Sequence, residues 1–133
     1  MIIGIGIDIA DQIRIREGIE KYGDKFLQTI FTESEIAICK RYRFPIEHYA
    51  GKFAVKEAMM KAIGTGLRQQ VTFKDIEVLN HETGAPYITT HGATAKIVER
   101  LEATHIHVSL SHTANIAVAV VILEKLTPSD LKT

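Results

Sequence analysis

The chain has 133 residues, 46% of them hydrophobic and 24% charged, a composition that indicates one folded domain over residues 1–133. This composition excludes a disordered chain, and no apolar run reaches the roughly 18 residues that a membrane-spanning helix needs. Sixteen basic residues balance sixteen acidic ones, which argues against nonspecific nucleic-acid binding.

The first predicted element is a β-strand over residues 2–9, because β-branched residues alternate there with smaller ones. Ile3, Ile5 and Ile7 share one face of this strand. The opposite face carries two glycines and then Asp8, a carboxylate where an apolar residue would continue the pattern. Asp8 is therefore the first candidate for chemistry.

Helices are predicted next, from capping and stop signals in the sequence. Asp11 caps the first helix, and Thr32-Glu33-Ser34-Glu35 forms a capping box that begins another. Pro45 ends that helix and precedes a longer one. The expected helices lie at about 12–22, at 33–42 and after Pro45 to about 63, with 24–30 as an additional short candidate.

The rest of the chain is predicted to hold four strands and one helix. The strands are expected at about 71–80, 86–90, 105–111 and 116–125, and the helix at about 92–103. Without the short candidate at 24–30, the order is β-α-α-α-β-β-α-β-β. Strands and helices are segregated rather than alternating, which predicts an α+β fold with a mostly antiparallel sheet packed against helices.

Two charges lie on an apolar stripe of the long predicted helix. At about 100° per residue, Glu57 and Lys61 fall about 40° apart on a face of otherwise small and apolar residues. An exposed pair at this spacing would be ordinary and weak. Charges on a core-facing stripe are instead expected to be paired or bound to a metal. A surface ion pair and a functional pair are equally open.

Asp8 and Glu57 would form a magnesium site if the first strand packs on this helix. Mg²⁺ is usually held by one or two carboxylates together with substrate phosphates and water. Alternatively, Asp8 caps the next helix or simply faces water. The sequence alone does not decide between these interpretations.

A basic segment and a glycine-containing loop suggest an anionic ligand. Residues 40–61 carry six basic against two acidic side chains, a net charge of +4, which fits a phosphorylated ligand or an acidic partner. A solvated helix face would explain the same charges. The loop Gly64-Thr65-Gly66 could approach an anion closely or serve only as a helix cap.

The last predicted hairpin is rich in histidine and serine. His105 and His107 could bind zinc, but no further close ligand completes that site. Ser109 or Ser111 could form a triad with His112 and Asp8, although the usual nucleophile motif is missing. A serine-histidine turn that binds phosphate fits the basic segment better.

Three motifs in this order resemble the holo-[acyl-carrier-protein] synthases, the small, single-domain branch of the 4′-phosphopantetheinyl transferases. They are Gly4-Ile-Gly-Ile-Asp8-Ile, Phe53-Ala-Val-Lys-Glu57-Ala-Met-Met-Lys61-Ala-Ile-Gly-Thr-Gly66 and Val108-Ser-Leu-Ser-His112-Thr. The resemblance covers nearly the whole chain. It implies transfer of 4′-phosphopantetheine from coenzyme A to a serine of apo acyl carrier protein, with adenosine 3′,5′-bisphosphate as the other product and fatty acid biosynthesis as the context.

The resemblance also implies a role for each site residue. Asp8, Glu57 and Lys61 would be catalytic: the two carboxylates would bind Mg²⁺, and Lys61 would contact phosphate. The base would be either Lys61 or a water held by Glu57. The coenzyme A contacts implied are Arg43 and Lys52 for the 3′-phosphate, Lys61, Gly64, Thr65 and Gly66 around the coenzyme A site, Gly84 and Pro86 against adenine, and Ser111 and His112 on the nucleotide. Many relatives have Arg in place of Lys52, so this contact is expected to be weaker.

The same resemblance implies partners. The family is typically a homotrimer with active sites between subunits. The first helix, led by Arg14 with Lys21 and Lys25, would dock on an acidic helix of the carrier protein. From the residues alone, an ordinary amphipathic surface helix explains the same pattern.

Two other functions fit the residues less well. A hotdog-type thioesterase also combines α+β content with coenzyme A ligands, but it wraps its sheet around one long helix and needs no metal. A non-catalytic module that binds coenzyme A or a carrier protein would show no turnover. Because Cys39 is the lone cysteine and the residues before Asp8 do not form a signal peptide, the cytoplasm is the expected location.

Overall fold

The computed structural model describes residues 1–66 and 68–132, and this part of the chain contains five strands, five helices and two short 3-10 turns. The elements in chain order are β1 (Ile2–Asp11), α1 (Gln12–Tyr22), α2 (Asp24–Ile30), α3 (Glu33–Lys40), α4 (Pro45–Ile63), a turn (Phe73–Asp75), β2 (Ile76–Asn80), β3 (Pro86–Thr90), α5 (Gly92–Arg100), β4 (His105–His112), β5 (Ile116–Glu124) and a turn (Asp130–Lys132). The predicted α+β class is confirmed. The short candidate at 24–30 is a helix of its own, so four helices precede β2.

The strands form two antiparallel sheets. One sheet has the order β1-β5-β4, and β2 pairs with β3 in a separate hairpin. α4 packs across one face of the three-stranded sheet, so that the inward residues of β1 and β5 lie against this helix. No helix in the described part of the chain is long and apolar enough to cross a membrane.

The strand predicted over residues 71–80 begins only at Ile76. Residues Phe73–Asp75 form a 3-10 turn, at whose start the Thr72 N–H donates to Asp75 Oδ2 at 3.3 Å and the Asp75 N–H donates to the Thr72 carbonyl oxygen at 3.2 Å. Because both backbone N–H groups find acceptors locally, the segment does not extend into the sheet. The helices predicted over 33–42 and 92–103 likewise end earlier, at Lys40 and Arg100.

β1 lies directly against α4 because two of its inward residues are glycines. A Cβ added to Gly6 would lie 1.8 Å from the carbonyl oxygen of Ala58, and one on Gly4 would lie 2.3 Å from that of Ala62. The two backbones therefore approach more closely than any other residue type would allow. Asp8, the next residue on this face, is thereby brought beside the helix.

A buried ion pair joins α3, α4 and β2. The Lys56 Nζ donates to Glu35 Oε1 at 2.9 Å and to the carbonyl oxygens of Phe73 at 2.9 Å and Ile76 at 2.5 Å. The second carboxylate oxygen, Glu35 Oε2, accepts from the Val78 backbone N–H at 2.8 Å. Both charged side chains have no exposed surface. Because every donor of the lysine has an acceptor, the buried charges are compensated.

Candidate active site

Asp8 and Lys61 form an ion pair where β1 crosses α4. The Lys61 Nζ donates to Asp8 Oδ1 at 2.8 Å and to the Ile7 carbonyl oxygen at 3.0 Å. The aspartate side chain is only 11% exposed, whereas the lysine side chain is 58% exposed. The hydrogen bond to Asp8 is the main cause that raises the pKa of Lys61. Lys61 is therefore held in its protonated, charged form.

Glu57 lies beside the same aspartate, one helical turn before Lys61. Burial raises the pKa of Glu57 to about 7, and the neighbouring Asp8 carboxylate adds to the effect. The positive charges of Arg14 and Lys61 act in the opposite direction. Asp8 therefore lies close enough to influence Glu57, as the expected pairing of the two carboxylates requires.

The donor set at this place fits a hard divalent cation. Asp8 Oδ2 is buried and has no hydrogen-bond partner within the described residues. An unpaired buried carboxylate oxygen is costly, and a second carboxylate beside it increases the negative charge. Carboxylate oxygens are the ligands that Mg²⁺ prefers in proteins. Asp8 and Glu57 are therefore residues that could hold Mg²⁺.

Arg14 extends this cluster towards α1. Its guanidinium carbon lies 5.4 Å from the centroid of the Phe53 ring, within cation–π range. The side chain is exposed, and its charge lowers the pKa of Glu57 slightly against the effects of burial. Arg14, which is predicted to bind the carrier, therefore also lies near enough to affect the charge of Glu57.

The loop Gly64-Thr65-Gly66 follows Lys61 directly and ends α4. Gly64 adopts a left-handed conformation with φ of 79°, and its N–H donates to the Met60 and Lys61 carbonyl oxygens, as a helix C-cap does. Thr65 is buried, whereas both glycines are exposed with open space at their Cβ positions. The capping interpretation is confirmed, and the exposed glycines remain free to approach a ligand.

A second predicted group meets in a cavity of about 190 Å³ on another side of α4. Four of the predicted coenzyme A residues line it: Lys52, Gly84, Pro86 and His112. The sequence did not indicate the further lining residues, which include Asn80, His48, Tyr42 and Glu47. Lys52 and Glu57 lie five positions apart, which is about 140° around the helix. The carboxylates and the cavity are therefore different faces of one helix.

Lys52 is buried at the wall of this cavity, with 4% of its surface exposed. Its Nζ donates to the Val78 carbonyl oxygen at 2.7 Å and to Asn80 Oδ1 at 3.0 Å. Burial lowers the pKa of this lysine. The interpretation of residues 40–61 as a solvated helix face is therefore wrong for both Lys52 and Lys56.

Two histidine rings stand together at the cavity. The His48 ring stacks on Tyr42 with 3.5 Å between ring centroids, and it meets His112 edge-on at 5.7 Å. His112 Nδ1 lies 4.0 Å from Glu47 Oε2. Burial and the neighbouring His112 lower the pKa of His48. His48 was not predicted as a site residue, since a single histidine in a basic segment carries no distinguishing pattern.

The structure does not bring Arg43 and Ser111 into this cavity. Arg43 lines a separate groove with Arg16 and Glu47. The Arg43 guanidinium lies over the Phe44 ring, 5.3 Å from its centroid. Ser111 lies on the outer face of the three-stranded sheet, in a shallow depression that Ile7 also lines. One chain therefore does not gather all the predicted coenzyme A residues at one place.

The alternative sites on β4 are not formed. No group of three or more metal-ligating side chains occurs in the part of the chain that the structure describes, so the two histidines lack a zinc ligand set. Side chains along a strand point to alternate faces of the sheet, so Ser109 and Ser111 lie on the face of β4 opposite to His112. A serine–histidine–aspartate triad with Asp8 is therefore ruled out by the geometry of the sheet.

The predicted carrier-docking residues are all exposed. Arg14 and Lys21 lie on α1, whereas Lys25 lies on α2, beyond the turn at Gly23. Lys25 borders an apolar groove that includes Tyr22 and the side chains of α2. The three cations therefore span two short helices rather than the single helix that the sequence suggested.

Comparison with known proteins gives a consistent result. The sequence profile of the 4′-phosphopantetheinyl transferase superfamily matches residues 4–121. A holo-[acyl-carrier-protein] synthase of Solibacter usitatus is 48% identical over 124 residues, 93% of this chain and 99% of that protein. The crystal structure of holo-[acyl-carrier-protein] synthase from Neisseria meningitidis matches with a TM-score of 0.86 and 34% identity, over 94% of this chain and 100% of the other. A holo-(acyl-carrier-protein) synthase of Bacillus anthracis, solved in complex with CoA (3′,5′-ADP), matches with a TM-score of 0.76 and 42% identity, over 95% and 99% of the two chains.

Proposed function

The chain belongs to the holo-[acyl-carrier-protein] synthases of the 4′-phosphopantetheinyl transferase superfamily, and from that premise we propose that it moves 4′-phosphopantetheine from coenzyme A to a serine of apo acyl carrier protein. The serine oxygen attacks the phosphorus that bears pantetheine. The bond from that phosphorus to the bridging pyrophosphate oxygen breaks, and the serine proton passes to a base. The products are holo acyl carrier protein and adenosine 3′,5′-bisphosphate. The Bacillus anthracis relative solved with CoA (3′,5′-ADP) supports this donor.

The observation that carries the proposal is the pair Asp8 and Glu57 beside Lys61. These carboxylates, one of them with a buried unpartnered oxygen, would hold Mg²⁺. The bound ion supplies neutralising charge for the pyrophosphate and for the leaving phosphate. Phosphoryl transfers of this kind depend mainly on positioning and electrostatics, so the roles of these three residues are to bind, orient and carry charge.

Lys61 acts as a donor to phosphate oxygens in this proposal. Its exposed ammonium already donates to Asp8, and its raised pKa opposes loss of the proton. This favours a water held by Glu57 over Lys61 as the base for the carrier serine. Gly64 and Gly66, which are exposed and directly follow Lys61, would let the pyrophosphate of coenzyme A approach the main chain closely, with the buried Thr65 between them.

The nucleotide half of coenzyme A would occupy the cavity at Lys52. Gly84 and Pro86 would lie against adenine, and His112 would contact the nucleotide from the opposite wall. Arg43 and Ser111 belong to the same proposed binding site but lie outside the cavity of their own chain. If the active site lies between two subunits, the cavity of one chain would face the carboxylates of the next. Residues that are apart in one chain would then contribute to one binding site.

The outer face of the three-stranded sheet supports a homotrimer. Ile5, Ile7 and Ile9 are 61%, 59% and 64% exposed, and they form an apolar row along β1. Contiguous exposed apolar surface of this kind usually marks an interface. Size-exclusion chromatography with light scattering tests this directly: a trimer is expected for the natural chain and a monomer for Ile7→Glu, and a natural chain that runs as a monomer would contradict the assembly.

Carrier recognition is assigned to Arg14, Lys21 and Lys25. These exposed cations suit an acidic helix of the carrier, and Arg14 would bring that helix towards Glu57. Complementary charge raises the association rate and makes binding sensitive to salt. The cytoplasm is the proposed location, and the free, buried thiol of Cys39 agrees with a reducing compartment.

The deciding experiment is intact-mass analysis of apo acyl carrier protein after incubation with this protein, coenzyme A and Mg²⁺. A gain of one phosphopantetheine that chelator abolishes and Mg²⁺ restores is the expected result. A thioesterase would release free thiol from acyl-coenzyme A regardless of chelator. A binding module would bind coenzyme A and leave the carrier mass unchanged, and either result would overturn the proposal.

A further inference from the structure

Three hydrogen bonds connect Lys52 to the turn between β2 and β3. The Lys52 Nζ donates to Asn80 Oδ1 at 3.0 Å, and the Asn80 side-chain amide donates to the Gly84 carbonyl oxygen at 3.0 Å. The same Nζ also donates to the Val78 carbonyl oxygen at 2.7 Å, at the base of this hairpin. We call Lys52, Asn80 and Gly84 the turn relay. Through it the long helix α4 is tied to an exposed turn.

The turn relay adds to the contacts that the turn makes within its own hairpin. Gly84 is exposed and has a φ of 92°, a conformation that only glycine adopts readily. Two backbone hydrogen bonds, from Gly84 N–H to His81 and from His81 N–H to Ala85, close the turn on itself. The amide of Asn80 adds a link from inside the hairpin, and Lys52 orients that amide. Gly84 and Pro86, the residues so positioned, line the cavity.

From this geometry we infer that Lys52 is a positioning residue, which shapes the nucleotide cavity through Asn80 instead of forming an ion pair with a 3′-phosphate. The inference rests on the proposed function, because it concerns the coenzyme A site of that reaction. Lys52 is 4% exposed, and two of its three N–H groups already have protein acceptors. These two acceptors hold the ammonium in place, and a lysine lacks the two-pronged geometry with which arginine binds phosphate.

The two roles predict different ligand dependence. A lysine that contacts the 3′-phosphate contributes only to ligands that carry this group. A lysine that positions the turn contributes equally to ligands with and without it. Dephospho-coenzyme A, which lacks the 3′-phosphate and is otherwise identical, is therefore the discriminating probe.

The test is calorimetric binding of coenzyme A and dephospho-coenzyme A to the natural chain, Lys52→Met, Asn80→Ala and the double variant. Each single change should weaken the binding of both ligands about tenfold, the loss expected for one hydrogen bond. The double variant should be no weaker than Lys52→Met, because both residues act in one chain of hydrogen bonds. Asn115→Ala, on the β4–β5 turn, is the matched control and should bind both ligands normally.

Three results would overturn the inference. Lys52→Met weakens coenzyme A but not dephospho-coenzyme A; the losses of the two single variants multiply; or Asn80→Ala leaves both affinities unchanged. The last result stands even if Lys52→Met does not fold, since Asn80 is exposed. Binding without transfer to the carrier by the natural chain would overturn the proposed reaction alone, and no binding of coenzyme A would overturn both.

Discussion

Lys56 and Glu57 are neighbours on α4, yet they belong to two opposite kinds of charged cluster. Lys56 is fully buried, and each of its donors reaches an acceptor, on Glu35 or on a main-chain carbonyl. Glu57 is part-exposed beside Asp8, which keeps one buried oxygen without a described partner. The first cluster is complete within the chain, whereas the second is the one for which we propose a bound ligand.

The difference shows how to separate structural from functional charge. Burial alone does not mark a site, because the more deeply buried of the two clusters is the structural one. The informative property is the incomplete pairing of the second cluster: burial and the neighbouring Asp8 raise the pKa of Glu57 even though Lys61 and Arg14 act against this, and one oxygen of Asp8 has no hydrogen-bond partner among the described residues. Proteins tolerate such an arrangement where a cation or substrate restores the balance.

The comparison predicts its largest effect at Lys56. Lys56→Met leaves the Glu35 carboxylate buried without its counter-ion, and such losses cost about 3–5 kcal/mol of unfolding free energy. Urea denaturation should show this loss, while the exposed Lys40→Met should match the natural chain. The double change Glu35→Met and Lys56→Met should recover much of the stability. A single variant as stable as the natural chain would show that the pair is not structural.

Glu57→Gln should have the next largest effect, on rate instead of stability. It keeps the size of the side chain but removes one of the two carboxylates, and loss of such a preorganised group typically slows reaction about 10²–10³-fold. Initial rates of carrier modification, followed by mass, measure the effect, with Glu99→Gln on α5 as control. Transfer at the natural rate by a folded Glu57→Gln variant would remove Glu57 from the proposed metal site.

These two predictions also mark how far sequence patterns reach. Asp8, Glu57 and Lys61 were predicted because each interrupts an apolar pattern, and periodicity makes such interruptions visible. Lys56 also lies among apolar helix neighbours, with Phe53 three positions before it and Met59 three positions after it. The sequence indicated no partner for it, because Glu35 is distant in sequence and was visible only as half of a capping box. The capping box of Thr32 and Glu35 is confirmed. The ion pair of Glu35 with Lys56, however, depends on tertiary packing, which residue spacing does not encode.

The positions of the remaining residues have the same explanation. The β2–β3 turn and the end of β4 could each be predicted as polar, but their meeting in one cavity depends on how a separate hairpin packs on α4. The separation of Arg43 and Ser111 from that cavity was equally invisible. Local signals predicted the elements and the odd charges, and the long-range contacts decided which of them share a surface.

The pH dependence of the metal-free protein sharpens the comparison further. The pKa of Glu57 is raised from 4.5 to about 7 in the folded chain, so folding favours its protonated form. This contribution is fully present below pH 4.5 and is lost as the pH rises through about 7. Thermal unfolding in chelator should therefore show the natural chain losing about 3 °C relative to Glu57→Gln between pH 5 and pH 8. Parallel profiles would contradict the crowding of the two carboxylates.

Arg14→Glu should have the smallest effect, confined to the carrier. Reversal of this exposed charge should raise the KM for acyl carrier protein about tenfold at low salt, with the KM for coenzyme A unchanged. Sodium chloride should narrow the difference, because exposed charges are screened. Arg100→Glu on α5 is the matched control, and an equal rise in both KM values would point to misfolding instead of docking.

Gly6 has a consequence for how this protein can vary. Asp8 lies close to α4 only because Gly6 has no side chain, since a Cβ at this position would overlap the Ala58 carbonyl oxygen. Every change in the first two bases of a glycine codon adds a side chain or stops translation. A random screen for inactive variants should therefore recover this residue as often as the carboxylates, although it contributes no functional group at all.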